Sequence, residues 1–335
     1  PLKSIRFLEG DTSSMGVIFE RSISRVREAG TYPPLDPAQG ESWLTQTIPM
    51  VYEGLERGTL AELLPAVTYS QAKAEEDGRL ATQEDQGEFS LTAKYGLTSH
   101  LVFDGTVNPD FSQVEADAGQ VDVNLRYQLY FPEKRLFFRE GGEHFAVAAT
   151  GASPLDPVGS IVYTRTIVDP IVGGKLTGKV GSNGFLASLY AVDELPAGSE
   201  SDQAHVPILR YKHALKADGY VGGIYAGREL SDGYNRVGGV DGLIRLTGAA
   251  TLGYHALLSQ TDEGEESSSE GGHALGIRFT RSTRDLDLDL VAKEISDGFR
   301  AETGFVWRTG IRQASVLVRP KLYPGSDVFR RIDVE

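Results

Sequence analysis

Segments of roughly ten to fifteen residues in which apolar and polar side chains alternate recur along most of the chain, and that period of two is the feature that most limits how it can fold. In Val121–Leu129 the alternation sets Val121, Val123, Leu125, Tyr127 and Leu129 against Asp122, Asn124, Arg126 and Gln128. Successive side chains of an extended strand point to opposite sides, so the segment has one apolar and one polar face. Asp285–Leu290 repeats the pattern with three carboxylates on one face, and Leu275–Thr280 repeats it with an arginine, so facing strands can pair these charges. Further strands are expected over 59–74, 87–107, 160–168, 170–180, 184–194, 206–217, 219–230, 236–247, 249–261 and 313–323. Turn chemistry separates them, tight at Gly181–Gly184 and Asp218–Gly219, long and acidic at 195–203 and 262–272.

Strands of this length are what a tilted transmembrane strand needs, about nine to eleven residues, whereas soluble sheets use about five or six. No run of about 18 apolar residues occurs, which excludes a membrane-crossing helix but not a barrel, whose strands average to neutral hydropathy. The unequal turns match the short periplasmic turns and long outer loops of such barrels. A soluble β-sandwich also alternates, and strand length is what favours the barrel over it. The expected fold is all-β, a long antiparallel meander forming an outer-membrane β-barrel or part of one.

Composition narrows the function. The 39 glycines, 14 tyrosines and 14 phenylalanines suit strands and turns. A net charge of −14 without a basic stripe argues against a nucleic-acid partner, since phosphate binding needs clustered Lys and Arg. The absence of cysteine removes disulfides, thiolate metal sites and thiol nucleophiles. Six histidines show no metal-ligand spacing, and the Gly-Gly pairs at 173–174, 222–223 and 238–239 read as close backbone approaches within strands.

Lys3–Leu8 and Met15–Arg25 read as two strands joined by a turn at Gly10–Ser14. Two strands are barely stable alone, so they are expected to complete a sheet with strands from later in the chain or from residues outside it. The simplest account is a module cut at its N-terminus, of which 1–31 are the C-terminal strands, a β-sandwich according to the resemblance given below. The Pro, Gly and Asp of 32–57 mark a linker, followed by the barrel domain, 58–335, expected to be incomplete at its C-terminal end, with an acidic and aromatic insert at 108–150.

Asn108–Asp117, followed by Tyr130–Gly141, resembles the outer-membrane β-barrel domain of unknown function 5916, which follows a family-nine-like carbohydrate-binding domain. Weaker matches continue in order at Pro170–Gly178, Tyr234–Asp241 and Glu302–Thr309. The chain departs from the family at Leu136, at Arg139 and at Arg300-Ala301. The resemblance implies a bacterial outer-membrane location, membrane lipid as the surroundings, glycans and other envelope proteins as partners, and a glycan-binding identity for the module that 1–31 would end. It implies no reaction.

The densest polar constellation is Asn108, Asp110, Gln113, Glu115, Asp117, Glu133, Lys134 and Arg135. Its plainest reading is a turn followed by an inward loop whose carboxylates pair with arginines and brace a lumen. Asp104, Asp110 and Asp117 are candidates for Ca²⁺, although their spacing matches no EF-hand. Glu115, Asp117, Glu133 and Glu140 are candidates for glycoside hydrolysis, which needs two carboxylates about 5 to 9.5 Å apart. Tyr127, Tyr130, Phe131, Phe137 and Phe138 read as an interface girdle or core, with a sugar platform as the alternative. The favoured function is therefore an outer-membrane barrel with an attached glycan-binding module, serving surface polysaccharide binding, uptake or envelope assembly. The alternatives are a membrane-bound glycoside hydrolase using acidic residues in 104–143, and a structural barrel subunit of an envelope complex.

Overall fold

The computed structural model describes residues 12–25, 28–35, 46–54, 60–76, 79–109, 129–151, 156–199, 201–216, 218–264, 269–325 and 331–334. Four short strands come first: β1 (Thr12–Val17), β2 (Phe19–Ile23), β3 (Glu28–Tyr32) and β4 (Ile48–Glu53). β1 pairs with β4 and β2 with β3, all antiparallel. Met15–Arg25 is therefore divided between two strands, because its halves take different partners. Thr12–Ser14, expected in a turn, belong to β1, and β4 lies inside the stretch read as linker. Lys3–Leu8 lies outside the described residues.

The rest is one antiparallel sheet of 13 strands. It begins with β5 (Ala61–Glu76), β6 (Arg79–Gly96) and β7 (Leu101–Val107), and after a long insert containing β8 (Val158–Ser160) resumes at β9 (Pro170–Val180). There follow β10 (Gly184–Glu194), β11 (Gln203–Ala214), β12 (Tyr220–Glu229), β13 (Tyr234–Thr247), β14 (Ala250–Asp262), β15 (Glu270–Ser282) and β16 (Leu286–Ile295). β17 (Phe305–Val306) sits in the next connection, and β18 (Ile311–Leu322) with β19 (Ile332–Asp333) ends the sheet. Each sheet strand pairs with its sequence neighbour, β8 and β17 excepted; those two pair with each other. Connections 97–100, 181–183, 215–219, 248–249 and 283–285 fall at one end, and 108–169, 195–202, 230–233, 263–269 and 296–310, most of them longer, at the other. The two-residue β5–β6 connection breaks the trend at the second end and the nine-residue β18–β19 connection at the first.

The expected meander is present, but among the described residues it does not close into a barrel. β5 has only β6 as a partner, and the far edge of β18 is taken over Lys321–Leu322 by β19. Two strand expectations also change. The single strand 87–107 is broken at 97–100, where Thr98 Oγ1 accepts hydrogen bonds from the backbone N–H of His100 and Leu101 and offers the chain a turn in place of a ladder. The segment 160–168 holds a 3-10 turn, Thr164–Thr166, because the Arg135 guanidinium takes the carbonyls of Thr164 and Ile167. Of Val121–Leu129 only Leu129 is described, and it is irregular.

The insert covers one face of the sheet. Phe137, Phe138, Phe145, Val147, Val158, Ile161 and Ile167 bury themselves against small and branched residues of that face, among them Ala187, Leu189, Val206, Ile208, Ala226, Val237 and Leu257. The register puts Leu189, Ile208, Ala226, Val237 and Ser259 on this covered side, and their sequence neighbours on the other. That opposite face is open and apolar: Val67, Phe89, Val107, Leu209, Val240, Leu258, Ile277 and Val316 all stand exposed, Leu258 by 67% and Val316 by 70%. Its charged residues, such as Glu229, Arg236, Arg281, Glu294 and Arg312, occur near strand ends.

Candidate functional site

On the covered face, isolated charged and polar side chains project from mid-strand positions into the insert. Lys175, on β9, sends its ammonium to the carbonyls of Phe137 and Glu140, each at 2.6 Å, and lies 3.7 Å from Asp104 on β7. Lys94 on β6 pairs with Asp104 at 3.5 Å and with Glu140. Arg210 of β11 grips Asp241 of β13 through two hydrogen bonds, 2.6 and 2.8 Å, and donates a third to the Ala146 carbonyl at 3.1 Å. Asp241 also accepts from the Ala148 N–H and the Tyr220 hydroxyl.

His255 of β14 approaches the Ala148 carbonyl with Nδ1 at 2.7 Å; a carbonyl only accepts, so Nδ1 carries the proton. Lys293 of β16 donates to Asp156, 2.5 Å away, whose carbonyl accepts from Trp307 Nε1 at 2.6 Å. Asn235 of β13 donates to Thr261 and the Arg300 carbonyl and accepts from the Glu302 N–H, tying down the connection 296–310. β8–β17 pairing joins that connection to the insert itself.

A second cluster lies within the insert. Arg135 holds both oxygens of Glu133 at 2.8 and 2.7 Å, and Thr164 Oγ1 donates to the same carboxylate at 2.7 Å. Its guanidinium also lies 4.4 Å over the Phe138 ring. Burial alone would raise the Glu133 carboxyl, but the hydrogen bonds from Arg135 and Thr164 outweigh it and hold the group below the usual glutamate range.

These contacts place the sequence candidates. Asp104 and Glu140 meet through Lys94, while Glu133 and Arg135 form their own pair. Asn108 has a positive φ of 42° and donates from Nδ2 to the Phe89 carbonyl, closing the turn after β7. Lys134 is partly buried beside the Glu133–Arg135 pair. Asp110, Gln113, Glu115, Asp117 and Tyr127 lie outside the described residues. Asp104 has two ammonium groups as neighbours, the reverse of what a Ca²⁺ ligand requires, and among the described residues no three His, Asp or Glu side chains gather as a metal site would need. Phe137 and Phe138 are core, whereas Tyr130 is half exposed and packs edge-on to Phe305.

Lys175, Arg210, Asp241, His255 and Lys293 were not singled out from the sequence. Their signal is a lone charged residue in mid-strand on one parity, as in Gly-Gly-Lys-Leu and Ile-Leu-Arg-Tyr. Arranged this way, the network fastens a loop to a wall. A buried ion pair adds little net stability, but it specifies one seating, because any other leaves a charge unpaired.

A family model described as a domain of unknown function (DUF5916) matches residues 62–150, from β5 into the insert. No curated protein and no solved structure matches the chain.

Proposed function

We propose that the 13-stranded sheet is the wall of an outer-membrane β-barrel, with its open face toward lipid and the insert packed in the lumen. The observation that carries this reading is the inverted polarity of the sheet. Buried Lys175, Arg210, Asp241 and Lys293 line the covered side, while among the described residues of β7, β9–β16 and β18 the exposed side is apolar in mid-strand and charged only toward the ends. Water penalises such a face and lipid favours it, and contiguous exposed apolar surface of this extent marks a membrane or partner contact.

Aromatic residues support it. Tyr190, Tyr225 and Tyr234 lie toward the long connections of the open face, and Tyr95, Phe103 and Phe279 toward the short turns, as interface belts require. In lipid an unpaired edge is untenable, so the reading requires that β5 and the β18–β19 edge be paired there, with each other or with further strands. No helix among the described residues is long and apolar enough to cross a membrane.

By this reading the long connections face outward and the barrel serves binding or uptake of surface polysaccharide. Resemblance to a domain that follows a carbohydrate-binding module supports the glycan part. Fractionation of the native protein, followed by detergent extraction and electrophoresis with and without boiling, tests the wall. Recovery in the outer membrane with a heat-dependent mobility shift is expected; a soluble monomer without detergent would overturn the proposal.

A further inference from the structure

A cavity of about 710 Å³ opens at the end of the sheet that carries the long connections, lined by Arg228, Arg300, Glu270, Asp297, Glu302 and Thr309 among others. Arg228 is its most sheltered charged side chain. Its side chain is only 17% exposed, yet among the described residues it makes one hydrogen bond, at 3.4 Å to the Thr166 carbonyl. The nearest carboxylates, Asp193 and Glu302, stand at 3.8 and 3.9 Å, beyond hydrogen-bond reach. Asp193 is 1% exposed, and its Oδ2 has no hydrogen-bond partner. A guanidinium carries five N–H donors in a fixed fork, and those of Arg228 that no protein acceptor takes are free to meet a ligand that enters the cavity.

The lining chooses among ligand classes. Two guanidiniums face three carboxylates, so their charges nearly cancel and neither a strong anion nor a metal cation is suited. A polar lining rejects an apolar molecule. Hydroxyl groups both donate and accept, and two vicinal hydroxyls span a guanidinium fork or the two oxygens of a carboxylate. We propose that this cavity binds a neutral saccharide, with Arg228 and an adjacent carboxylate holding vicinal hydroxyls. The proposal deepens the reading above and rests on it for the outward position of the cavity.

The full chain in detergent micelles, titrated calorimetrically with cellohexaose, maltohexaose and laminarihexaose, tests it. At least one sugar should saturate the wild type, and Arg228→Lys, which keeps the charge but loses the fork, should weaken it tenfold or more. Thr309→Val, which removes a rim hydroxyl, should weaken it several-fold and carries the test if the arginine variant does not fold. Saturation by none of the three sugars, unchanged binding in these variants, or tighter binding of sulfate or Ca²⁺ than of sugar would each overturn the proposal. The heat-dependent mobility shift is scored on the same sample. Sugar binding through Arg228 without that shift sinks the membrane wall and leaves the cavity standing, and the shift without binding does the opposite.

Discussion

At the scale of single residues, the pair Asp156–Lys293 is the sharpest test of the network, since both side chains are at most 3% exposed. Lys293→Met strands a buried carboxylate and should cost about 3–5 kcal/mol in urea unfolding, and adding Asp156→Leu should recover much of that loss. An unaltered single variant would mean that the pair is solvated. Glu133 supplies a pH dependence. Its folded pKa lies below the 4.5 of a free glutamate, so its tie to Arg135 contributes fully at neutral pH and is lost as pH falls from about 4.5 through the lowered value. Hydrogen-exchange protection of 131–138 should fall on acidification, and Glu133→Gln should show reduced protection already at pH 7 with a flatter acid response. Only part of this chemistry was legible in the sequence. Glu133 and Arg135 are two residues apart and their pairing follows from proximity, whereas Asp156 and Lys293 are 137 apart and nothing local joins them.

At the scale of elements, the adjacent glycines of β9 separate the two faces of the sheet. A side chain at Gly173 would meet the Phe137 ring at 2.9 Å, so it must push the insert away, while one at Gly174 would touch Phe103 only at 3.7 Å, an ordinary contact. Gly173→Val should therefore destabilise by about 1–3 kcal/mol and expose the buried Arg135 to trypsin, and Gly174→Val should leave the cleavage pattern unchanged. Equal effects at both positions would contradict the seating of the insert. Strand positions were well read where alternation and turn residues agreed, as over 170–180 and 184–194, which match β9 and β10. They were misread where a side chain competed for the backbone, Thr98 at the β6–β7 turn and Arg135 at 164–167, because hydropathy period carries no information on such hydrogen bonds.

At the scale of the molecule, the open face decides between lipid and water. Leu258→Arg, at a 67% exposed site in mid-strand, should cost about 2–4 kcal/mol of membrane insertion and abolish the heat-dependent mobility shift. On a water-facing sheet the same change would stay within about 0.5 kcal/mol. Unfolding from liposomes of wild type and variant measures the difference, and a negligible change would argue for solvent.

Period-two alternation and turn clusters act locally, so a succession of long antiparallel strands and a sheet with two unlike faces could be read without the structure. Which face is covered, and by what, was decided only in the tertiary structure: alternation is symmetric between the faces, and the insert finds its place through contacts such as Arg210 with Ala146 and His255 with Ala148, which join residues far apart in the chain. Those contacts exist only once several strands have assembled side by side, since each strand contributes one or two of them and none is stable alone.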